Sequence, residues 1–353
     1  MSRKREYGLD FLKTVASVLI VFHHYQQDIA ADYPVRFYPG PGRFSCGYMV
    51  ELFFLISGFL IAAYAPRIRG GLRFRDFFLR RWLRLFPLML LSTAGYCTLY
   101  FLLGMDESLY SGVEAPTLWG FVLTSLGLQR GWGLRCPMIN NPLWYLSVLL
   151  FCYILFYLLV RVSARLRFST WGLYLLMVGI GVAFGSGEVN LPFLNWYMCR
   201  GYHSFFSGLL LAEALRGRRP GWRLAGLCVL AIAAITALIP HYAHWGLNYL
   251  ITLVYLPAIL LLFLSEPVSG LFRAPVFGLL GKISFDVYVW HMCALLIAIE
   301  LAARELTNPA AHPMGGMLLF TVCCFLFGAL SHFFLEKPCA RLTDRLYGRI
   351  ASS

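Results

Sequence analysis

The chain has 353 residues, of which 59% are hydrophobic and 13% are charged, whereas a soluble domain is about 45–50% apolar and about 25% charged. So few charges could not cover a soluble protein of this length, and apolar residues along the whole chain exclude disordered and fibrous classes. The composition predicts a polytopic, all-α membrane protein. The net charge is +13, from 30 Lys and Arg against 17 Asp and Glu, and it needs a separate explanation.

Ten apolar stretches follow one another along the chain, each near the roughly 20 residues that a helical span needs. They lie near 9–27, 47–65, 85–104, 143–160, 171–186, 196–215, 224–240, 246–265, 282–303 and 315–335. A shorter stretch near 117–129 predicts a re-entrant or interfacial helix. No repeat or linker divides the sequence, so residues 1–353 are predicted to form one membrane domain without an appended soluble domain.

The basic residues favour one side of the predicted membrane. With the N-terminus in the cytoplasm, about 23 of the 30 Lys and Arg residues fall in inside segments and about five in outside ones. This asymmetry predicts ten spans in the plasma membrane with both termini inside. It also explains most of the net charge without a nucleic-acid partner.

The ten cysteines fall mostly within predicted spans, where they serve as small apolar packing residues. None has the spacing of metal ligands, so no metal is expected. Cys46 and Cys136 fall in predicted outside segments, and the sequence leaves open whether they form a disulfide.

Ionisable residues inside a span are costly, so each is a candidate functional residue. Asp10, Lys13, Ser17 and His24 share one face of the first predicted helix, and His23 lies about 80° away. Such a stripe favours a polar lumen running from the cytoplasmic end towards the outer third of the membrane. The simpler interpretation is that Asp10 and Lys13 reach the inner interface and that a histidine bonds a backbone carbonyl.

Other buried polar groups occur in later spans. Glu51 opens the second predicted span and His291 lies midway along the ninth, whereas Lys282 and Asp286 have the spacing of an ordinary i,i+4 ion pair. Seven arginines with interspersed aromatic residues lie between 67 and 84. That segment could bind anionic lipid, or it could bind a nucleotide-bearing cofactor with several phosphates. The sequence has no Walker-type loop or glycine-rich dinucleotide fingerprint that would indicate ATP or NAD.

Six motifs in order resemble the acyltransferase 3 family of integral membrane acyltransferases. The opening span resembles the family's basic residue eleven positions before a histidine, here Lys13 and His24. The second span, Glu51-Leu52-Phe53-Phe54-Leu55-Ile56-Ser57-Gly58-Phe59-Leu60, is similar to its acidic, Phe-Phe and Ser-Gly-Phe signature. The remaining matches are Arg81-x-x-Arg84, Leu143-Trp144-Tyr145-Leu146-Ser147, Ser284 to Tyr288-x-x-His291, and Glu336-Lys337-Pro338.

The resemblance implies transfer of an acyl group, often acetyl, from cytoplasmic acyl-CoA to a hydroxyl of a glycan, a lipid-linked sugar or a small molecule. In this interpretation His24 is the general base, and Asp10 or Glu51 orients or charge-balances the site. The CoA phosphates bind Arg81 and Arg84, and the pantetheine arm passes Lys13. Further residues expected to line the substrate cavity are Ser57, Trp144, Tyr288, His291 and Glu336.

Several alternatives stay open at this point. His23 competes with His24 as the acting base, and direct transfer is not separated from an acyl-enzyme intermediate. The acceptor, the acyl chain and the oligomeric state are not fixed by the sequence, and membrane lipids are the only general partner expected. The competing function is a polysaccharide or lipid-linked glycan transporter without acyl-transfer chemistry, since a polar lumen suits that too.

Overall fold

The computed structural model describes residues 6–29, 46–105, 114–185, 189–238 and 249–352. Within these ranges the chain is helical and carries no β-strand, only one isolated bridge between Leu191 and Leu194. The α-helices are α1 Tyr7–Asp28, α2 Met49–Ile61, α3 Ala65–Arg69, α4 Phe74–Leu103, α5 Leu118–Leu126, α6 Trp144–Leu166, α7 Thr170–Ala183, α8 Trp196–Leu215, α9 Trp222–Leu238, α10 Leu256–Leu264, α11 Glu266–Ser269, α12 Pro275–Ala303, α13 Pro313–Ser331 and α14 Lys337–Ser352. Two π-helical turns, Ile251–Tyr255 and His332–Glu336, precede α10 and α14.

Within the described ranges, five helical segments are long and apolar enough to cross a membrane. They are Cys46–Arg69, Phe74–Leu103, Asn141–Leu166, Pro275–Ala303 and Pro313–Arg345. Three shorter apolar helices, Thr170–Ala183, Trp222–Leu238 and Ile251–Leu264, accompany them. The expectation of an all-helical polytopic integral membrane protein is therefore confirmed, whereas the number of ten spans and the orientation of the termini stay predictions.

The arginine-rich segment between the second and third predicted spans differs from the expected loop. The helix α4 begins at Phe74 and runs for 30 residues, so its first turns already carry Arg75, Arg80, Arg81 and Arg84. The apolar stretch read from the sequence began only at residue 85, because a helix can extend beyond the hydrocarbon layer while its charged end stays in water. These arginines consequently have defined positions on a rigid element.

Two close helix pairs flank the interior. At the contact of α1 with α12, a Cβ atom on Gly281 would lie 2.4 Å from the Cβ of Asp10, and at the contact of α2 with α8 a Cβ on Gly58 would lie 1.9 Å from the carbonyl oxygen of Phe205. Neither clash can be relieved by a side-chain rotation, so glycine is required at both sites. Small residues of this kind let membrane helices approach closely. The glycine of the Ser57-Gly58-Phe59 motif thus has a packing role.

The short stretch expected near 117–129 forms α5, a helix of nine residues. Thr117 caps it by accepting a hydrogen bond from the Gly120 amide at 3.0 Å. A helix of this length spans about 14 Å, less than half of the hydrocarbon layer. The prediction that this segment does not cross the membrane alone is consistent with its length.

Candidate active site

One large cavity, about 1590 Å³ in volume, lies between α1, α2, α4, α6, α8, α12 and the His332–Glu336 turn. It exceeds the range of roughly 300–1,000 Å³ that is common for small-molecule sites. The cavity wall is strongly basic. Its cationic residues are Lys13, Arg69, Arg80, Arg81, Arg84, Arg216, Arg218, Arg219, Lys282 and Lys337, and its acidic residues are Glu6, Asp10, Glu213 and Glu336.

The cavity has a basic end and an aromatic end. The basic end is formed by the helix termini that carry the arginines, including the start of α4 and the segment after α8. The aromatic end is lined by Phe53, Tyr145 and Tyr288 together with Ser57. On α12 the two ends are represented by Lys282 and Tyr288, which are six residues or about 9 Å apart along the axis. A long ligand with an anionic group at one end matches this polarity.

Arg81 is held firmly at the basic end. Its guanidinium carbon lies 3.8 Å from the ring centroid of Phe77 and 4.1 Å from that of Tyr64, and one of its nitrogens donates to the Phe77 carbonyl. Arg84, one turn further along α4, is exposed and lines the same cavity. The structure therefore brings together the two arginines predicted for the cofactor site. Cation–π packing leaves Arg81 pre-oriented, so less side-chain entropy is lost when it binds an anion.

The polar stripe of α1 divides into separate environments. Asp10 and Lys13 both line the cavity, and their Oδ1 and Nζ atoms form an ion pair at 3.4 Å. Ser17, however, is only 1% exposed and donates to the Ser284 carbonyl oxygen at 2.9 Å. The expected continuous lumen along the stripe is thus wrong at Ser17, because α12 packs directly over it. Asp10 lies about 21 Å along the helix from His24, too far to orient that imidazole directly.

His24 belongs to a cluster of three histidines beyond the aromatic end of the cavity. Its ring centroid lies 5.1 Å from that of His291 and 5.3 Å from that of His23. His24 is half-buried, whereas His291 is 1% exposed. Neither imidazole is among the residues that line the cavity. His24 occupies the middle position, since it contacts both other rings.

The tautomer of His291 follows from its hydrogen bonds. Its Nδ1 lies 2.8 Å from the Tyr288 carbonyl oxygen and 3.3 Å from that of Val287. Because a carbonyl oxygen only accepts, Nδ1 carries the hydrogen, and in the neutral ring Nε2 presents a lone pair. Nε2 has no hydrogen-bond partner among the described residues. His291 is therefore oriented by the backbone and can accept a further hydrogen bond.

Tyr288 forms the wall between the cavity and the histidines. Its ring centroid lies 5.6 Å from that of Phe53, 5.5 Å from that of Tyr145 and 5.9 Å from that of His291. Its hydroxyl donates to the Pro142 carbonyl oxygen at 2.6 Å. Ser57 lies on the cavity side, where its hydroxyl bonds that of Tyr145 at 3.0 Å. The packed rings of Phe53 and Tyr288 thus close the cavity on the side of His291.

Glu51 lies outside the cavity in a buried ion pair with Arg200. The Glu51 carboxylate is 3% exposed and accepts from Arg200 Nε at 2.5 Å and from Nη2 at 2.9 Å. The Arg200 guanidinium also packs over the rings of Trp144 and Trp196, at 4.8 Å and 4.5 Å from their centroids. Trp144, predicted to line the cavity, instead supports this pair. The partner of Glu51 was missed by the sequence reasoning, although both residues open spans that run in the same predicted direction.

Near Glu336, the partner of Asp286 differs from the one expected from the sequence. Glu336 lines the cavity as predicted. Asp286, however, does not form the expected ion pair with Lys282. Its carboxylate is 0% exposed, accepts from the Ser331 hydroxyl at 2.7 Å and lies 3.4 Å from His332 Nδ1. The i,i+4 rule failed here because α13 covers this face of α12, while Lys282 lines the cavity. His332 was not singled out from the sequence.

Cys46 and Cys136 are both free thiols in the structure. Cys136 is buried beside Thr124, 3.8 Å from the threonine hydroxyl. Burial raises the pKa of the Cys136 thiol. A buried, protonated thiol is unreactive, so Cys136 has the character of a packing residue.

Comparisons with known proteins identify the family of the chain. The sequence model of the acyltransferase domain family matches residues 6–330. The chain therefore belongs to the acyltransferase 3 family. No solved structure matches the chain.

Two curated relatives share sequence with almost the whole chain. A protein of Staphylococcus aureus (strain COL) named "Putative O-acetyltransferase" is 22% identical over 367 residues, covering 94% of this chain and 56% of the relative. The "Putative peptidoglycan O-acetyltransferase YrhL" of Bacillus subtilis (strain 168) is 24% identical over 386 residues, covering 97% of this chain and 56% of the relative. The chain thus spans about half the length of the curated relatives that it matches.

Proposed function

We propose that this protein is a membrane O-acyltransferase that moves an acyl group from acyl-CoA to a hydroxyl of a glycan, a lipid-linked sugar or a small molecule. Family membership supports an acyl-transfer function. The observation that carries the proposal is the basic cavity, whose aromatic end is separated from the His24 cluster by the Tyr288 ring. Acetyl is the acyl group that the names of both relatives specify.

The donor end of the proposal rests on charge and size. Coenzyme A carries a nucleotide with several phosphates, and arginine forks bind phosphate oxygens in pairs. Arg81 and Arg84 lie at the basic end together with Lys337 and the arginines that follow α8. Lys13 lies further in, on the path that a pantetheine arm would take. The cavity is larger than most small-molecule sites and so has room for a ligand of this length.

The reaction end rests on the imidazoles. In the proposed step His24 takes the proton of the acceptor hydroxyl while the hydroxyl oxygen attacks the thioester carbonyl. The carbon–sulfur bond then breaks, and CoA leaves as the thiolate. The His291 ring is fixed by its hydrogen bond to the Tyr288 carbonyl and lies beside His24. It would orient His24 by accepting a hydrogen bond from the His24 imidazole. General-base catalysis of this kind contributes about 10²–10⁴-fold.

The proposed route requires a change of conformation at the cavity wall. The thioester end of the donor would have to displace the Phe53 and Tyr288 rings to meet His24. Their hydroxyl-bearing neighbours Ser57 and Tyr145 lie on the cavity side, where they would contact the arm. Direct transfer to the acceptor is the proposed chemistry, and an acyl-enzyme intermediate is the alternative.

The proposed setting is the plasma membrane. Residues 1–353 would form one domain with ten spans and both termini in the cytoplasm, because this orientation places most basic loops inside. The basic end of the cavity then faces the cytoplasmic pool of acyl-CoA. His24, about 16 Å along α1 from Lys13, would lie towards the outer face, where glycan acceptors occur. Peptidoglycan, which the name of the Bacillus relative specifies, is one candidate acceptor.

The proposal is tested on the purified chain in lipid nanodiscs with acetyl-CoA labelled in the acetyl group. Saturable binding of CoA and label transfer to a membrane or glycan extract are expected. A chain that binds no acyl-CoA and releases no thiol, but moves labelled glycan across a vesicle membrane, would instead support the transporter function.

A further inference from the structure

Three ligand-type side chains converge at the junction of α12 with the π-helical turn before α14. Asp286 comes from α12, and His332 and Glu336 are the first and last residues of the turn. One ligand atom of each, an imidazole nitrogen or a carboxylate oxygen, lies within 4.8 Å of the other two. π-Helical turns are rare and frequently occur at functional sites.

Both carboxylates point at the same imidazole nitrogen. His332 Nδ1 lies 3.4 Å from Asp286 Oδ2 and is in contact with Glu336 Oε2. The cluster is enclosed, since Asp286 is 0% and His332 5% exposed. Asp286 Oδ2 and His332 Nε2 have no hydrogen-bond partner among the described residues. The other Asp286 oxygen is fixed by the Ser331 hydroxyl at 2.7 Å.

Within the part of the chain that the structure describes, hydrogen bonds leave two atoms of this cluster unsatisfied. Nδ1 carries at most one hydrogen and can donate to one carboxylate at full strength. An imidazolium would also balance only one of the two carboxylates, and an uncompensated charge on the fully buried Asp286 is strongly unfavourable. A divalent cation between the three atoms would balance both carboxylates and use the Nδ1 lone pair.

We propose that Asp286, His332 and Glu336 bind a divalent metal ion of the zinc class. Imidazole favours Zn²⁺ over the hard ions Mg²⁺ and Ca²⁺, which prefer oxygen ligands alone. Zn²⁺ ligands at about 2.0–2.2 Å in tetrahedral geometry lie roughly 3.4 Å from each other, which matches the separation of Nδ1 and Asp286 Oδ2. The Glu336 side chain, 16% exposed, is the ligand with most freedom to adjust. The Ser331 hydroxyl is the outer partner that orients the aspartate.

A fourth coordination position would face the cavity. His332 and Glu336 line its wall, and Lys337 follows them directly. A site with three protein ligands and one open position binds water or an oxyanion. The ion would add a divalent charge to the basic wall and would tie α12 to the turn that joins α13 to α14. This inference does not depend on the proposed acyl-transfer function.

The test measures Zn²⁺ binding by the full-length, tag-free chain in nanodiscs without donor or acceptor. After incubation with zinc chloride and desalting, mass spectrometry should find about one Zn²⁺ per chain. His332→Gln should lose the ion, and Ser331→Ala should bind it about tenfold more weakly, as is usual for loss of an outer partner. Zn²⁺ should raise the melting temperature of the unmodified chain but not that of His332→Gln.

Glu213→Gln is the matched control, because Glu213 lines the same cavity but bonds Thr170 at 2.8 Å instead of the cluster. It should retain the ion. Glu336→Gln, at the less buried ligand, provides a second test if His332→Gln does not fold. Less than about a tenth of an equivalent in the unmodified chain, or equal retention by the Glu336→Gln chain, would overturn the proposal.

Discussion

The ring centroids of His24 and His291 lie 5.1 Å apart across the contact between α1 and α12. His291 is in turn fixed to the backbone carbonyl of Tyr288, whose ring lines the cavity. Tyr288 therefore lines the cavity and also packs against the His291 ring of the imidazole cluster. The proposed donor site and the proposed base are thus connected through the Tyr288 and His291 rings.

Replacing Arg81 should weaken donor binding without changing the chemical step. Loss of a hydrogen bond to a charged group costs about 1.5–3 kcal/mol, so Arg81→Gln should raise the KM for acyl-CoA by roughly 10- to 100-fold while kcat stays near that of the unmodified chain. Arg81→Lys should lie between the two, because lysine keeps the charge without the paired donors. The measurement is steady-state thiol release.

The matched control for Arg81 is Arg165→Gln. Arg165 is an exposed arginine near the end of α6 that does not line the cavity. The KM of the Arg165→Gln variant for acyl-CoA should be unchanged. An unaltered KM in Arg81→Gln would remove Arg81 from the donor site.

Enlarging Phe53 should hinder passage from the cavity to His24. Phe53 packs against Tyr288 at the wall, with 5.6 Å between ring centroids, so Phe53→Trp should lower kcat while the dissociation constant for CoA, which is held at the other end, stays the same. Phe59→Trp is the control, since Phe59 lies six residues further along the same helix and also lines the cavity. Equal kcat values for the two variants would contradict a gate at Phe53 and Tyr288.

Breaking the Glu51–Arg200 pair should destabilise the fold. Removing one partner of a buried ion pair leaves an uncompensated charge and costs about 3–5 kcal/mol, so Glu51→Gln should lower the free energy of unfolding by that amount. The double variant Glu51→Gln with Arg200→Gln should recover much of the loss, because both charges are then gone. Thermal or denaturant unfolding in nanodiscs measures the free energy of unfolding of the single and the double variant.

The same pair separates a positioning role from a catalytic one. If Glu51 only supports the fold around Trp144, the double variant should also recover acyl transfer. Activity that stays lost in a stable double variant would indicate that Glu51 acts in the reaction itself.

Composition and hydropathy were enough to predict an all-helical membrane protein, because a span is a local property of about 20 residues. The resemblance to the acyltransferase 3 family singled out Arg81, Arg84, Lys13 and Glu336, and all four line one cavity. Local reasoning from the sequence failed where a neighbouring helix decides the environment. Helical periodicity put Ser17 on the polar face, but only the packing of α12 reveals that Ser17 bonds the Ser284 carbonyl.

The missed partners have the same physical origin. Arg200 and Glu51 come from helices far apart in sequence, as do His332 and Asp286. The i,i+4 spacing of His332 and Glu336 is a usable signal for a ligand pair, whereas the cysteine spacing gives no such signal. Asp286 completes that cluster, but its i,i+4 spacing from Lys282 favours an ion pair within one helix when only the sequence is considered.

His24 is the proposed base for acyl transfer. The decisive measurement compares thiol release from acetyl-CoA, with acceptor present, by the His24→Ala and His23→Ala chains. His312→Ala, at an exposed histidine before α13, controls for loss of an imidazole. The proposal predicts that His24→Ala loses about 10²–10⁴-fold in kcat with CoA affinity intact, and that the other two retain activity. Full activity in a folded His24→Ala chain, or loss confined to His23→Ala, would contradict it.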